Sequence, residues 1–181
     1  LADQMKQAGL SVREDPVGNV IGTYNPADSL EAPVLSGSHF DTVRCGGIFD
    51  GCLGLLAALE AAQTLKENNV MLKRPLMVIG YRDEEGNRFS SGMLGSKVVT
   101  GKAEDEDFLA KDGEGITIGE AMKQRGYHPE DYKQGRIDPI HASVELHIEQ
   151  GRVLETNKQS IGVVNAIVGQ RRYTITLNGE S

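Results

Sequence analysis

The residues best suited to chemistry in this chain are two histidines and a set of acids spread over four segments. His39 and Asp41 lie in "SGSHFDTV", and Asp50 lies in the glycine-rich turn "RCGGIFDGCLG". Glu84 and Glu85 lie in "DEEGNRF", and His147, Glu149 and Gln150 in "ELHIEQG". Imidazole nitrogen and carboxylate oxygen are donors that zinc and its first-row neighbours accept. Two ions a few ångströms apart need a bridge, which a carboxylate with two oxygens can supply. Asp50, flanked by Gly46, Gly47, Gly51 and Gly54, has the backbone freedom to insert between two ions. Asp41 is two residues from His39, so in an extended segment both side chains leave the same face. There its carboxylate can hold the second imidazole nitrogen and fix the tautomer. Glu84 and Glu85 are consecutive and point in different directions, so one can bind metal while the other faces a bound water. A metal lowers the pKa of that water to about 7, and an unligated carboxylate beside it can take the proton.

Each group also has an ordinary explanation. A lone His39 is more often a satisfied structural histidine, Glu84 and Glu85 a solvated turn, and Asp50 a helix N-cap. Four clusters at the ends of predicted strands in one chain favour the metal reading. His128 and His141 lack carboxylates placed in this way and read as surface or loop residues. The serines of "RFSSG" have no nearby base, so a serine nucleophile is not indicated.

The elements that must position these groups alternate in type. Residues 18–24 and 33–40 read as strands separated by the turn-like "NPADSLEA". From residue 51 to about residue 68 the pattern turns helical, with Leu55, Leu59, Ala62 and Leu65 on one face. Residues 74–82 form a short apolar run suited to a buried central strand. A helix starts at Thr117, where Thr117 and Glu120 make a capping-box pattern. Residues 142–149 read as another strand and residues 161–169 as a strand or connector. The last stretch, "RRYTITLNGES", alternates Tyr173, Ile175 and Leu177 like a half-buried strand. Such a strand needs a neighbour and none follows, so the chain reads as a piece of a longer protein. Strands alternating with helices predict an α/β sheet covered on both faces, with functional residues where strands end. The stretch "AEDEDFLAKDGEG" reads as a solvated acidic surface.

Composition narrows the function classes. The chain has 181 residues, 39% hydrophobic and 25% charged, with a formal net charge of -7. That charge argues against a nucleic-acid backbone as partner, and no dense basic stripe opposes the argument. No apolar run nears the ~18 residues that cross a bilayer, and no basic-then-apolar leader opens the chain. Cys45 and Cys52 are the only cysteines, too few for a disulfide framework, and read as free thiols in a reducing cytoplasm.

The segments "GSHFDTVRCGGIFDGCLG", "DEEGNRF…GMLGSK" and "ELHIEQGRVLE" resemble the hydantoinase/carbamoylase branch of the dinuclear zinc peptidases and amidohydrolases. That branch includes N-carbamoyl-L-amino-acid hydrolases, allantoate amidohydrolases and β-ureidopropionases. The likeness runs through almost the whole chain in order, and "HIEQG" is more specific to the branch than the His-x-Asp motif. The resemblance implies a zinc-aminopeptidase-like mixed sheet flanked by helices, cut off at the start of a smaller α+β lid and dimerisation domain. Residues 1–165 would be the N-terminal part of the metal-binding catalytic domain, and residues 166–181 a connector and the first lid strand. It implies that His39 and His147 bind one metal, Glu85 the other, and Asp50 bridges both. Glu84 would be the general base, Gln150 would touch substrate, and Asp41 would act behind the ligands. A further histidine for the second metal and the lid's substrate groups would lie outside this chain, so the piece alone is expected to be inactive. The implied activity is metal-dependent hydrolysis of a ureido or carbamoyl C–N bond by a cytoplasmic homodimer. Zinc is the expected metal, with manganese, cobalt or nickel also suited to such donors. A dinuclear dipeptidase or aminoacylase, or an inactive metal-binding module, is the alternative.

Overall fold

The computed structural model describes residues 1–24, 30–167, 169, 173 and 175–179. Its chain falls into two units, Leu1–Ile148 and Glu149–Ser181. The first holds a five-stranded sheet of β1 (Ser11–Glu14), β2 (Val20–Tyr24), β3 (Val34–His39), β4 (Leu76–Tyr81) and β5 (Ala142–Val144). The spatial order is β1-β2-β4-β3-β5. The β1–β2 and β2–β4 pairs are antiparallel, whereas β3 is parallel to both β4 and β5. The sheet is therefore mixed, as expected. Chain order runs from β3 outward to β4 and then back to β5 on the other side of β3. α/β sheets place ligands beyond the carboxyl ends of the strands at such a reversal.

The helices of this unit are α1 (Ala2–Gln7), α2 (Cys52–Glu67), α3 (Leu94–Val99) and α4 (Ile118–Gln124). Side chains in the strands alternate between two cores. Val20 and Val78 pack with Met5, Leu10, Leu55, Leu59 and Ala62, on the face covered by α1 and α2. Ile21, Leu35 and Ile79 pack with Val99 of α3 on the opposite face. Burial on both faces explains why residues 76–79 read as a continuous apolar run. A further cluster joins Val17, Leu94, Val98, Phe108, Ile118 and Met122, fixing α3 against α4. At about 1.5–3 kcal/mol for each fully buried aliphatic side chain, these clusters supply the rigidity of the strand ends.

Helix α2 follows the expected stripe, burying Leu55, Ala58, Leu59 and Ala62. Helix α4 begins at the capping box foreseen for it: Glu120 N–H donates to Thr117 Oγ1 at 3.1 Å, and Thr117 N–H donates to Glu120 Oε2 at 2.8 Å. The strand expected over residues 142–149 is shorter, because β5 pairs with β3 only from Ala142 to Val144. The acidic stretch at 103–115 is not merely solvated. It forms a 3-10 turn, Asp105–Leu109, which buries Phe108.

In the second unit, α5 (Val153–Asn157) is capped by Glu149, whose carboxylate accepts from the N–H groups of Val153 and Leu154 at 2.8 and 2.9 Å. No strand forms among the described residues at 161–179, where Val163, Ile167 and Leu177 are exposed. Part of that stretch, and most of the turn expected at residues 25–32, lies outside the described residues. No helix among the described residues is long and apolar enough to cross a membrane.

Candidate metal centre

Strands β3, β4 and β5 run parallel, so their carboxyl ends lie on one side of the sheet. His39 is the last residue of β3, Glu84 and Glu85 follow β4, and His147 follows β5. Asp50 arrives from the turn before α2. Gly51, next in the chain, has a φ of 67° and lies against the His39 ring, with no room there for a side chain. A glycine at this point lets the α2 start close down on the imidazole.

These four residues converge. His39 Nε2 is 3.4 Å from His147 Nε2, 3.7 Å from Glu85 Oε1 and 3.8 Å from Asp50 Oδ1. His147 Nε2 is 3.5 Å from Asp50 Oδ1. Donors bonded at about 2.0–2.1 Å around a tetrahedral zinc are about 3.3–3.4 Å apart, so His39, Asp50 and His147 lie near the spacing that a shared ion would need.

Hydrogen bonding defines what the imidazoles present. His39 Nδ1 lies 2.7 Å from the Asp41 carbonyl oxygen, and His147 Nδ1 lies 3.0 Å from the Ile148 carbonyl oxygen. A carbonyl can only accept, so each Nδ1 carries the proton and, in the neutral ring, each Nε2 offers a lone pair. The two Nε2 atoms then face each other with no proton between them. Asp50 is buried, and its Oδ1 has no hydrogen-bond partner; Asp83 Oδ2 is the other such buried oxygen among the described residues. A buried unpaired carboxylate oxygen costs several kcal/mol in an apolar setting. Three lone-pair donors left unmet at one point fit a cation, and His39, Asp50 and His147 form a group able to hold one.

Asp41 acts differently from its sequence expectation. Its main-chain carbonyl, not its carboxylate, orients His39. The carboxylate instead accepts from the N–H groups of Glu84 and Glu85, each at 3.0 Å. The chain bends away after His39, so the alternation that would have aimed Asp41 at the ring no longer holds. Asp41 thus links the β3 end to the loop that carries both glutamates.

That loop is anchored on its far side as well. Buried Asn19 accepts from Arg82 N–H at 2.9 Å and donates to the Gly95 carbonyl at 3.1 Å, while Met93 N–H donates to the Glu84 carbonyl at 2.8 Å. The two glutamates separate as expected for neighbours: Glu85 turns toward His39, and the Glu84 carboxylate is held by Ser96 Oγ at 2.9 and 3.1 Å. Burial raises the Glu84 carboxyl above its ordinary range, opposed by the Ser96 hydrogen bond and by His39, and reinforced by the charges of Glu145 and Asp41. Gln150 is exposed and belongs to the second unit. His128 and His141 lie apart from this cluster, at the surface. Cys45 and Cys52 are free thiols.

Sequence reasoning did not single out Ser96, Ser38 or Glu145. Ser38 Oγ donates to Glu145 Oε1 at 2.5 Å, beside the two histidines. Ser38 and Ser96 carry no periodic or spacing signal, although all three residues fall inside or beside the motif segments.

An α/β domain with imidazole and carboxylate donors gathered at the carboxyl ends of its parallel strands is a divalent-metal domain by class. The chain belongs to peptidase family M20/M25/M40, whose sequence model matches residues 35–181. It is 44% identical to the N-carbamoyl-L-amino acid amidohydrolase of Geobacillus stearothermophilus, over 99% of this chain and 44% of that protein. It is 48% identical to the allantoate amidohydrolase of Escherichia coli (strain K12), over 98% of this chain and 44% of that protein. A crystal structure of a hydantoinase/carbamoylase family amidase from Burkholderia ambifaria matches with a TM-score of 0.77 and 42% identity, over 87% of this chain and 38% of that one. The chain therefore spans less than half the length of the curated relatives it matches.

Proposed function

We propose that the full protein carrying this chain hydrolyses a C–N bond in a ureido or carbamoyl group, of an N-carbamoyl-L-amino acid or of allantoate, with two divalent metals. The observation that carries the reading is the convergence of two imidazole lone pairs on the unpartnered Asp50 oxygen. His39, Asp50 and His147 would hold one metal, with Asp50 bridging to a second held by Glu85 and by a ligand outside this chain. Zinc suits this mixed nitrogen and oxygen set.

When bound, such metals polarise a carbonyl and acidify water. The chain's own residues account for the proton movements. Glu84, raised by burial and steered by Ser96, takes a proton from the attacking water. The water oxygen bonds to the ureido carbon. The C–N bond then breaks as Glu84 returns the proton to the leaving nitrogen, and the carbamate formed decomposes to carbon dioxide and ammonia. Asp41, through the Glu84 and Glu85 N–H groups, keeps base and ligand in fixed relation. Gln150 would contact the substrate, and residues 166–181 would open a lid domain through which two subunits pair. Two free thiols accord with a cytoplasmic setting.

The test is ammonia release by the full protein from N-carbamoyl-L-amino acids, allantoate and N-carbamoyl-β-alanine, with zinc, manganese or cobalt supplied. Glu84→Gln will keep its metal and lose about 10²–10⁴-fold or more in kcat. Wild-type turnover by that variant would remove Glu84 from its role, and cleavage of dipeptides alone would shift the reading to a peptidase.

A further inference from the structure

We propose that Ser38 and Glu145 are a positioning pair that sets His147 against His39, an inference that rests on the metal reading above. The backbone pairing of β3 with β5 stops at Ser36 and Val144. Each histidine lies three residues past that last rung, so this ladder no longer sets the register of one ring against the other. The next link between the two segments is made by side chains. Ser38 is fully buried, and its hydroxyl donates to Glu145 Oε1 at 2.5 Å. An O–H···O⁻ bond of that length is in the strong, charge-assisted class. Ser38 immediately precedes His39, and Glu145 lies two residues before His147, so the bond spans the gap at the base of the site.

A further observation points the same way. Gly54 of α2 lies against the Leu146 carbonyl and the Ser38 side chain, so the 145–147 segment is pressed onto the helix that starts beside Asp50.

The test uses the full protein and its affinity for Zn2+, measured by competition with a chromogenic chelator beside the melting temperature of the metal-free form. Ser38→Ala and Glu145→Ala will each weaken zinc binding by about 10-fold or more, within the 10–100-fold range seen when groups that orient ligands are lost. The double variant will be no weaker than the worse single, because both remove one bond. Glu145→Gln, whose amide oxygen still accepts from Ser38, will bind within about threefold of wild type on the same scale. Co2+ in the Ser38→Ala protein will show a shifted visible band. Zinc affinity in Ser38→Ala equal to wild type, whatever happens to its melting temperature, overturns the pairing role. Glu145→Gln falling as far as Glu145→Ala also overturns it. Failure of the wild-type protein to bind zinc overturns the metal reading itself, and this inference with it.

Discussion

Gly54→Ala separates ligand placement from ordinary stability. A methyl group at Gly54 would overlap the Leu146 carbonyl oxygen and sit 3.1 Å from Ser38 Cβ. Comfortable carbon contacts need about 3.5–4.0 Å. Neither the helix nor a backbone carbonyl can yield as a flexible side chain would, so the 145–147 segment must move by on the order of an ångström. Its backbone ladder to β3 has ended at Val144, so the Ser38–Glu145 bond rather than main-chain pairing is what the shift must strain. Metal–ligand distances tolerate about ±0.2 Å, so His147 is carried out of bonding position. Gly54 lies in the first turn of α2, so its replacement regains less than the roughly 1 kcal/mol that an interior glycine costs, while overpacking costs about 1–3 kcal/mol. Net stability therefore falls by no more than about 3 kcal/mol, and zinc affinity falls at least about tenfold. The assay pairs urea unfolding of the metal-free protein with chelator competition, using Glu60→Ala on the exposed side of α2 as control. Wild-type zinc affinity in folded Gly54→Ala protein would refute the reasoning.

Other outcomes follow from the same geometry. Asp50→Asn will stabilise the metal-free protein by about 1–3 kcal/mol, because it removes a buried charge whose Oδ1 has no partner. It will also abolish the rise in melting temperature that zinc gives the wild type, and a less stable metal-free variant would contradict this. Thr117→Ala removes the hydroxyl that accepts from Glu120 N–H, leaves the residue-117 N–H bonded to Glu120, and will cost about 1 kcal/mol in urea unfolding with zinc affinity unchanged. The Asp107 carboxyl, pushed up by burial, is held below its ordinary range overall by the Lys97 ammonium at 2.6 Å and the Glu104 N–H. A lowered folded-state value gives stability that is present above the unfolded aspartate value of about 3.9 and lost as pH falls through the folded one. Asp107→Asn will therefore cost about 0.5–1 kcal/mol at pH 7, and the difference from wild type will shrink toward zero in acid. A gap that stays constant with pH would assign the effect to something other than the charge.

The parts of the molecule legible in the sequence are those where one physical demand governs residue choice. β4 is an apolar run because the sheet is covered on both faces, and α2 carries its buried stripe at helical spacing. His39, Asp50 and His147 stood out in the sequence as donor types a metal would ask for, and the fold brings them within reach of one another. β1, α1 and α3 span only four to six residues each, too few for a period to stand out. β5 stops pairing at Val144 although β3 runs on to His39, and nothing in the residues of β5 marks that end. Asp41 was placed near His39 but given the wrong atom, since the alternation rule fails once the chain leaves the strand. Ser38 and Glu145 are 107 residues apart, and nothing local marks either as the other's partner.

Whether these residues share metal ions is decided by a crystal structure of the full protein grown with zinc, with data collected on both sides of the zinc absorption edge. An anomalous peak is expected about 2.0–2.2 Å from His39 Nε2, His147 Nε2 and an Asp50 carboxylate oxygen, with a second peak reached by Asp50 and Glu85. Difference maps with no peak among these four residues, or with zinc bound only elsewhere, would contradict it.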